Sequence, residues 1–299
     1  MDLEPNLLDD VASTAPAKNL ELTLSEVGLE NVQMQARMHG LLLPARGEAC
    51  VSLIDKHARG IHMSRLYKIM NKIHEQEISW AWLNACLEEM LVSHEGLSDG
   101  GHLQMTFELP VLRKALVSQE QGWRNYPVTY RVESHQGRSL FTLTTKVLYS
   151  STCPCSAGLS RQAIQEKFAR DFKEPVVSLA QVINWLGNAE TSVATPHAQR
   201  SEAIVEFIFD PHGATPSTIG LIDEVETALG TPVQAAVKRE DELEFAKRNA
   251  RNLMFCEDAA RKLKAALLKR EDVTDFNIEV RHFESLHAHD VVAKVRKHD

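Results

Sequence analysis

A strand that stops at a Cys-Pro-Cys motif is the feature that most constrains this chain. Ser139–Tyr149 is rich in Thr, Phe, Leu, Val and Tyr, which favour a paired strand. Pro154 has no backbone N–H and a fixed φ, so the hydrogen-bond ladder is expected to stop there. Cys153 and Cys155 are then held at the rigid end of a strand, pointing the same way if the chain stays extended, and Ser156 is predicted to cap the next element. We take Cys153 as the centre of a candidate site.

The rest of the chain alternates groups of strands with groups of helices, which indicates an α+β fold. Ser64 is a candidate N-cap for the first helix. Periodicity predicts helices over Ile78–Ser93, Ser217–Leu229 and Leu243–Lys269, the last broken near Asn252. Strands are predicted over Glu21–Met38, Ala49–Ile54, Leu103–Leu109, Tyr126–Glu133, Leu140–Leu148, Ala203–Phe209, Phe276–Val280 and Val291–Val295.

This order divides the chain into parts. Residues 1–20 are predicted to be a flexible arm. Residues 21–150 and 151–299 each run strands, helices and strands, so we interpret them as two halves of similar order. Residues 157–196 form a helical insertion in the second half, with a charged segment over Arg161–Phe172 and an apolar one over Val176–Trp185.

The overall charge argues against several partners. Lys and Arg number 33 and Asp and Glu 41, a net charge of −8, whereas a general nucleic-acid or membrane-surface binder usually has a basic face. No apolar run approaches the roughly 18–20 residues of a membrane span. The five cysteines do not form a disulfide framework. We expect a cytoplasmic, reduced protein.

Three metal-ligand types occur near or after the Cys-Pro-Cys motif. Thiolate, imidazole and carboxylate are the side chains that bind zinc, and a catalytic zinc keeps three protein ligands and one open position. Four residues supply these side-chain types, one more than the three ligands needed: Cys153, His197, Glu242 and His287. Their long separation in sequence leaves open that they never meet. Cys155 is a second ligand, a redox partner or a packing residue, whereas Cys50, Cys86 and Cys256 lie in apolar stretches and are predicted to be core.

Two further segments carry candidate ligand-binding groups. The loop Asp55–Arg65 gathers basic side chains around Gly60, which suits phosphate recognition, although a solvated charged loop explains it equally. Glu257 lies at the apolar start of a helix. The helix dipole alone favours a carboxylate there, but it could also accept two N–H donors from a base such as guanine.

Five motifs together resemble the GTP cyclohydrolase I family of the IB type. The matching segments, in the family's order, are Asp55–Arg65, Cys153–Ser156, His197–Ser201, Phe255–Asp258 and Glu284–His289. The resemblance implies a tunnelling fold, in which tandem strand–helix–strand halves form antiparallel sheets with helices on one face and assemble as a homotetramer with sites between subunits. It implies conversion of GTP and water to 7,8-dihydroneopterin triphosphate and formate, the entry to folate-type pterins and to queuosine. Zn²⁺ is the implied metal, with Mn²⁺ or Fe²⁺ as substitutes.

The resemblance also assigns residue roles. It implies metal binding by Cys153, His197, Glu242 and His287, with Cys155, Glu240 and His289 as neighbouring alternatives. Catalytic roles fall to Cys153, Glu242 and His62, the last as a proton shuttle. Substrate binding falls to Glu257 for the guanine ring and, for the triphosphate, to Lys56, Arg59, Arg65 and Arg200. Ala157-Gly158 and the insertion depart from the family pattern.

Three other functions are compatible with parts of this pattern. A tunnelling-fold nitrile reductase also uses a Cys nucleophile, with a nicotinamide cofactor. A zinc-dependent nucleobase deaminase would show Pro-Cys-x-x-Cys, whereas this chain has Cys-Pro-Cys. A non-catalytic zinc- or nucleotide-binding assembly module would bind metal without turnover. Formate release from GTP separates the cyclohydrolase from all three.

Overall fold

The computed structural model describes residues 12, 14–16, 20–210, 213 and 215–299. Most of the predicted arm, residues 1–20, lies outside these residues. Eight strands form one sheet in the order β1 to β8, and every strand pairs antiparallel with the next along the chain. The strands are β1 Leu24–Met38, β2 Leu41–Leu53, β3 Gly100–Lys114, β4 Gln121–His135, β5 Arg138–Thr152, β6 Ala198–Phe209, β7 Val273–His282 and β8 Val291–Arg296.

Within the described residues, seven α-helices interrupt this order at three places. They are α1 Met63–Met70, α2 Trp80–Ser93, α3 Pro154–Asp171, α4 Leu179–Gly187, α5 Thr218–Leu229, α6 Arg239–Arg251 and α7 Cys256–Leu267. Short 3₁₀ turns cover Ile73–Glu75 and Ala189–Thr191. Thus β1–β4 surround α1 and α2, while β5–β8 surround α3 to α7, which agrees with the predicted α+β tunnelling fold.

One face of the sheet forms the hydrophobic core with the helices. Along β3, Leu103, Met105 and Phe107 are buried, and on β4 Val128 and Tyr130 continue this apolar face. The period-2 alternation places these side chains on the same side of adjacent strands. Trp80 of α2 completes the layer, with its ring 4.6 Å from that of Tyr130 and 5.3 Å from that of Phe141. Helix and sheet are therefore held together by aromatic packing.

The predicted strand end at Pro154 is confirmed. β5 stops at Thr152, and α3 begins at Pro154, a position where the missing N–H costs nothing. Cys155 consequently lies in the first turn of a helix, so the expectation of an extended segment with both thiols on one side is wrong. Ser156 does not cap α3 either, because Cys153 is the N-cap residue and Ser156 Oγ instead accepts a hydrogen bond from the backbone N–H of His197 at 3.1 Å.

Other predictions differ from the structure at element boundaries. Ser64 lies inside α1, whose N-cap residue is His62. Residues 41–48 belong to β2, although Pro44 and Gly47 disguise the strand in the sequence. The predicted break near Asn252 is confirmed, since α6 ends at Arg251 and α7 starts at Cys256. The predicted boundary between residues 150 and 151 falls inside β5. The division of the chain into two halves stays a prediction.

The insertion is helical, as α3 and α4 show. α4 has a Ser178–Gln181 capping box, in which each residue's side chain bonds to the backbone of the other. Trp185 of α4 donates from Nε1 to Asp171 of α3 at 2.8 Å and packs edge-on against Phe168 at 5.1 Å. The two helices of the insertion therefore stabilise each other.

Candidate active site

Cys153 and His197 are neighbours at the edge of the sheet where β5 ends and β6 begins. Thr152 pairs with Ala198, and the backbone N–H of Cys153 donates to the carbonyl of His197 at 3.3 Å. The Ser156 hydroxyl accepts from the backbone of His197, which ties the start of α3 to the same strand. Strand pairing thus makes neighbours of two residues that are far apart in sequence, one with a thiol and one with an imidazole side chain.

Two polar side chains fix the orientation of His197. Its Nδ1 lies 3.0 Å from Gln199 Oε1 and 4.0 Å from Glu284 Oε2. Gln199 also donates from Nε2 to Glu284 Oε1 at 3.2 Å. Because the amide oxygen accepts and does not donate, the proton of His197 lies on Nδ1, which leaves Nε2 as the nitrogen that a metal would take. Sequence reasoning gave Gln199 no role; its signal was the i+2 spacing from His197 on a strand.

Glu242 lies on the wall of a cavity beside this pair. The cavity has a volume of about 610 Å³, and its wall includes Thr152, Ser160, Glu242, Phe245 and Asn249. Within the described part of the chain, the buried atoms Thr152 Oγ1 and Asn249 Oδ1 have no hydrogen-bond partner. A polar ligand in the cavity would satisfy both, because buried donors and acceptors are normally paired.

Asp241, the residue before Glu242, anchors the start of α6. Its side chain is buried and accepts hydrogen bonds from the backbone of Val117, from Lys238 and from both the backbone and hydroxyl of Ser118. Burial alone would raise the pKa of Asp241, but the hydrogen bonds outweigh it and hold the pKa well below its ordinary value. This fixed carboxylate sets the position of its neighbour Glu242.

Arg200, Glu257 and His287 lie at the same edge of the sheet. Arg200 follows Gln199 on β6, and its carbonyl accepts from the backbone N–H of Phe283 just after β7. Glu257 is exposed in the first turn of α7, close to the point where the Met254 N–H donates to the carbonyl of Thr152. His287 and His289 lie in the β7–β8 loop with their rings stacked at 5.0 Å. Both side chains are exposed, as is that of Glu240.

The four predicted metal ligands share this edge without forming a closed site. Among the residues described, no three of Cys153, His197, Glu242 and His287 have ligand atoms all within 4.8 Å of one another. The thiol, the oriented imidazole and the carboxylates are the donor types that a zinc-type metal needs, so the residues fit such an ion chemically. Their assignment as ligands stays a prediction.

The predicted phosphate-binding loop lies at the opposite edge of the sheet. The loop follows β2. Near the end of β2, Val51 pairs with Gly101 of β3, which is in register with Ser134 of β4 and, through it, with Ser139 near the start of β5. Cys153 comes about 14 residues after Ser139, which at about 3.3 Å per residue is roughly 45 Å along the strand. Lys56, Arg59, His62 and Arg65 are therefore far from Cys153 within one chain.

His94 organises the loop that contains His62. It is buried at the end of α2, and its Nε2 accepts a hydrogen bond from the backbone N–H of His62 at 3.2 Å. Its Nδ1 lies 2.9 Å from the carbonyl of Met90 and is therefore the protonated nitrogen. Burial lowers the pKa of His94, which keeps the ring neutral for this pair of contacts. His94 thus holds the residue that precedes α1, through a contact across 32 residues that the sequence pattern does not reveal.

Comparison with known proteins identifies the family. The chain matches the family described as Type I GTP cyclohydrolase folE2 over residues 8–293. The chain belongs to this family. It is 44% identical to GTP cyclohydrolase FolE2 of Pseudoalteromonas translucida (strain TAC 125) over 292 residues, which cover 96% of each chain. Identity to GTP cyclohydrolase FolE2 of Pseudomonas putida (strain GB-1) is 43% over 286 residues, covering 96% of this chain and 94% of the relative.

Solved structures confirm the fold at low sequence identity. Uricase from Arthrobacter globiformis superposes with a TM-score of 0.52 at 8% identity, covering 92% of this chain and 93% of the uricase. The likeness therefore concerns the strand and helix arrangement alone. No helix within the described residues is long and apolar enough to cross a membrane. All five cysteines are free thiols, and Cys50, Cys86 and Cys256 are buried as predicted.

Proposed function

We propose that this chain is a metal-dependent GTP cyclohydrolase that converts GTP and water to 7,8-dihydroneopterin triphosphate and formate. Membership of the type I GTP cyclohydrolase family over nearly the whole chain carries the proposal. The Cys153–His197 pair beside a cavity of about 610 Å³ supports it, because this cavity has the volume of a small-molecule site. The product places the enzyme at the start of folate-type pterin synthesis.

Cys153, His197, Glu242 and His287 would hold the metal, with Zn²⁺ as the expected ion and Mn²⁺ or Fe²⁺ as substitutes. When bound, the ion supplies Lewis-acid activation of water at neutral pH. The chain's own contribution is to orient the ligands: Gln199 and Glu284 hold His197 by Nδ1, and the hydrogen bonds of Asp241 fix the helix turn that carries Glu242. Such outer contacts typically account for 10–100-fold in metal affinity.

The remaining roles concern the nucleotide. Glu257, exposed at the start of α7, accepts the two N–H groups of the guanine ring edge and so holds its base in place. Lys56, Arg59, Arg65 and Arg200 bind triphosphate oxygens, for which guanidinium groups offer paired donors. His62 moves protons as the imidazole ring of GTP opens and formate leaves. His94 holds the backbone of His62 in place from within the core.

These roles require two chains for one site. Glu257, Cys153 and His197 lie at one edge of the sheet, whereas His62 and the basic loop lie roughly 45 Å away at the other. A single GTP cannot span that distance. The proposal therefore includes a closed oligomer, a homotetramer, in which the loop of one subunit meets the Cys153 edge of another. Five free thiols accord with a reducing, cytoplasmic setting.

Turnover of GTP by purified, metal-quantified protein tests the proposal. We expect formate in equal amount to a fluorescent pterin from the wild-type chain. Cys153→Ala should abolish both products, and Cys155→Ala, which removes an exposed thiol two residues away, should retain them. A folded, metal-loaded wild-type protein that releases no formate would contradict the proposal. NADPH consumption would then favour a nitrile reductase, and metal and nucleotide binding without turnover would favour an assembly module.

A further inference from the structure

A second group of metal-ligand side chains lies on β2 and β3, away from Cys153. Glu48, Cys50 and His102 place one ligand atom each within 4.8 Å of the other two. Cys50 is 7% exposed and His102 is 2% exposed, so the group is largely withdrawn from water. His102 pairs with Glu133 of β4, and Glu133 pairs with Leu140 of β5, so Leu140 marks the level of this group on β5. Cys153 is about 13 residues farther, roughly 43 Å, so this group is separate from the Cys153 edge within one chain.

Strand register explains why the three side chains meet. Cys50 is directly opposite His102, and Glu48 is two residues from Cys50 and therefore on the same face of β2. Glycines flank the group closely. A Cβ on Gly28 would lie 1.9 Å from the Ala49 carbonyl oxygen, and a Cβ on Gly101 would lie 2.4 Å from that of Cys50. The backbones on both sides of Cys50 thus approach more closely than side chains would allow.

Both polar ligands have outer partners of the kind found around bound metals. His102 Nε2 lies 2.8 Å from Glu48 Oε1, and its Nδ1 lies 3.3 Å from Glu26 Oε1. Both ring nitrogens therefore face carboxylates that accept hydrogen bonds, and a metal bound at Nε2 would take the place of the proton shared with Glu48 while Nδ1–H stays directed at Glu26. Gln104 donates from Nε2 to Glu48 Oε2 at 3.3 Å, which holds that carboxylate as well. A carboxylate behind a metal-binding imidazole is a recurrent arrangement that fixes its tautomer.

Two irregularities in β1 bracket the segment that faces Cys50. The register of β1 against β2 shifts between Leu24 and Val27 and again between Leu29 and Val32. Glu26 and Glu30 lie in these two shifts. Bulges commonly redirect side chains next to functional sites. Here one of them delivers the carboxylate that contacts His102.

Carboxylates surround Cys50. Glu48 lies on the same face of β2, and Glu26 of β1 contacts His102, so the group is rich in negative charge. A divalent cation would attract the thiolate and the carboxylates together.

We infer that Glu48, Cys50 and His102 bind a divalent transition metal of the zinc class, with Glu26 as the outer partner of His102. On binding, Cys50 loses its proton to solvent and forms a metal–sulfur bond, without any change of oxidation state. Tetrahedral zinc with ligand bonds of about 2.0–2.3 Å separates its ligand atoms by roughly 3.3–3.8 Å, so the group needs only small shifts. Water would complete the fourth position. This inference is independent of the proposed reaction.

Cobalt titration of full-length protein with both Cys153→Ala and Cys155→Ala tests the inference without the other candidate thiolate ligands. After metal removal, we expect one tightly bound Co²⁺ per chain and a near-ultraviolet thiolate-to-cobalt band. Cys50→Ser in this background should remove the band and that equivalent. Cys86→Ser is the matched control, because Cys86 is equally buried in α2 and lies outside the group, so band and stoichiometry should persist.

Two further variants keep the test decisive if Cys50→Ser folds poorly. His102→Gln retains the thiol and should also lose the tightly bound cobalt. Glu26→Gln should keep the band while weakening cobalt binding by about 10–100-fold, as an outer partner does. The inference is overturned if the folded protein carrying Cys153→Ala and Cys155→Ala shows no thiolate band, which would make His102 a plain ion-pair partner of Glu48. It is also overturned if the band survives Cys50→Ser.

Discussion

Mixing two inactive variants is expected to restore activity, because each would carry its defect at a different edge of the sheet. Cys153→Ala removes the thiol where β5 ends. His62→Ala removes the imidazole in the loop after β2. Each homogeneous oligomer lacks one part of every site. In a hybrid oligomer, some sites combine the intact loop of one chain with the intact Cys153 edge of the other.

The size of the expected recovery is set by the geometry. The two edges are roughly 45 Å apart along β5, so under the proposed assignment no chain completes a site by itself. In a closed symmetric oligomer assembled at random from equal amounts of the two variants, each edge is intact with a chance of about one half. About one quarter of the sites should then be complete, giving about one quarter of wild-type turnover.

The assay is formate release and pterin fluorescence from co-expressed chains with two different affinity tags, purified through both tags. Cys153→Ala combined with Glu242→Ala is the matched control. Both changes lie at the same edge, so their hybrids should stay near the activity of either variant alone. Metal content and assembly size should be equal in the two hybrid preparations.

Failure of the first hybrid to exceed its parents, in a verified mixed oligomer, would refute the two-edge site. Recovery of the control pair to about one quarter of wild-type turnover would do the same, since it would mean that Cys153 and Glu242 of one chain contribute to different sites.

Four other substitutions have defined outcomes. Gln199→Leu removes the acceptor for His197 Nδ1 and should weaken metal binding by about 10–100-fold in a chelator competition, with secondary structure unchanged. Gly28→Ala should lower the denaturant midpoint of unfolding and disrupt β1–β2 pairing, because its Cβ would lie 1.9 Å from the Ala49 carbonyl oxygen. Gly158→Ala is the matched control: it lies inside α3 with open space around it and should stabilise the protein by about 0.5–1 kcal/mol. Burial lowers the pKa of His282 from 6.5 to about 4, partly offset by Glu257, so the unfolded chain takes up a proton at higher pH than the folded one. The free energy of unfolding should therefore fall as pH drops from 6.5 towards 4, by about 3 kcal/mol from this residue, and His282→Gln should flatten that dependence in denaturant titrations.

Local signals predicted most of the strands and helices. Alternating residues identify β3 to β8, and Pro154 marks the end of β5 correctly because its effect on the backbone is local. The first half of β2 was missed, since Pro44 and Gly47 are unfavourable in strands and only pairing with β1 and β3 stabilises them there. Ser64 and Ser156 were predicted as N-caps, but neither α1 nor α3 has a side-chain cap. The residues that precede these helices, His62 and Cys153, are held instead by contacts distant in sequence, with His94 and with the backbone of His197.

The residues of the candidate site were likewise predicted only in part from the sequence. Residue type singled out Cys153 and His197, and strand pairing places them together as the motif order suggested. Gln199, Asp241 and His94 act by holding other residues, so they carry no motif of their own. The Glu48–Cys50–His102 group was also missed. Cys50 lies in an apolar stretch and was assigned to the core, which its burial bears out, but its partners depend on the register between β2 and β3.

An open sheet of eight strands also has two edge strands, whose outer backbone N–H and C=O groups have no partner strand within the sheet. β1 and β8 each pair with one neighbouring strand in the described chain, so their outer backbone groups are available to another strand. Such edges invite uncontrolled pairing unless a defined contact covers them. On β8, Lys294 and Arg296 alternate with the partly buried Val291, Ala293 and Val295, which discourages indiscriminate contacts while permitting a specific one. Diluting or disrupting the assembly should consequently yield insoluble aggregate more readily than a stable, dispersed monomer.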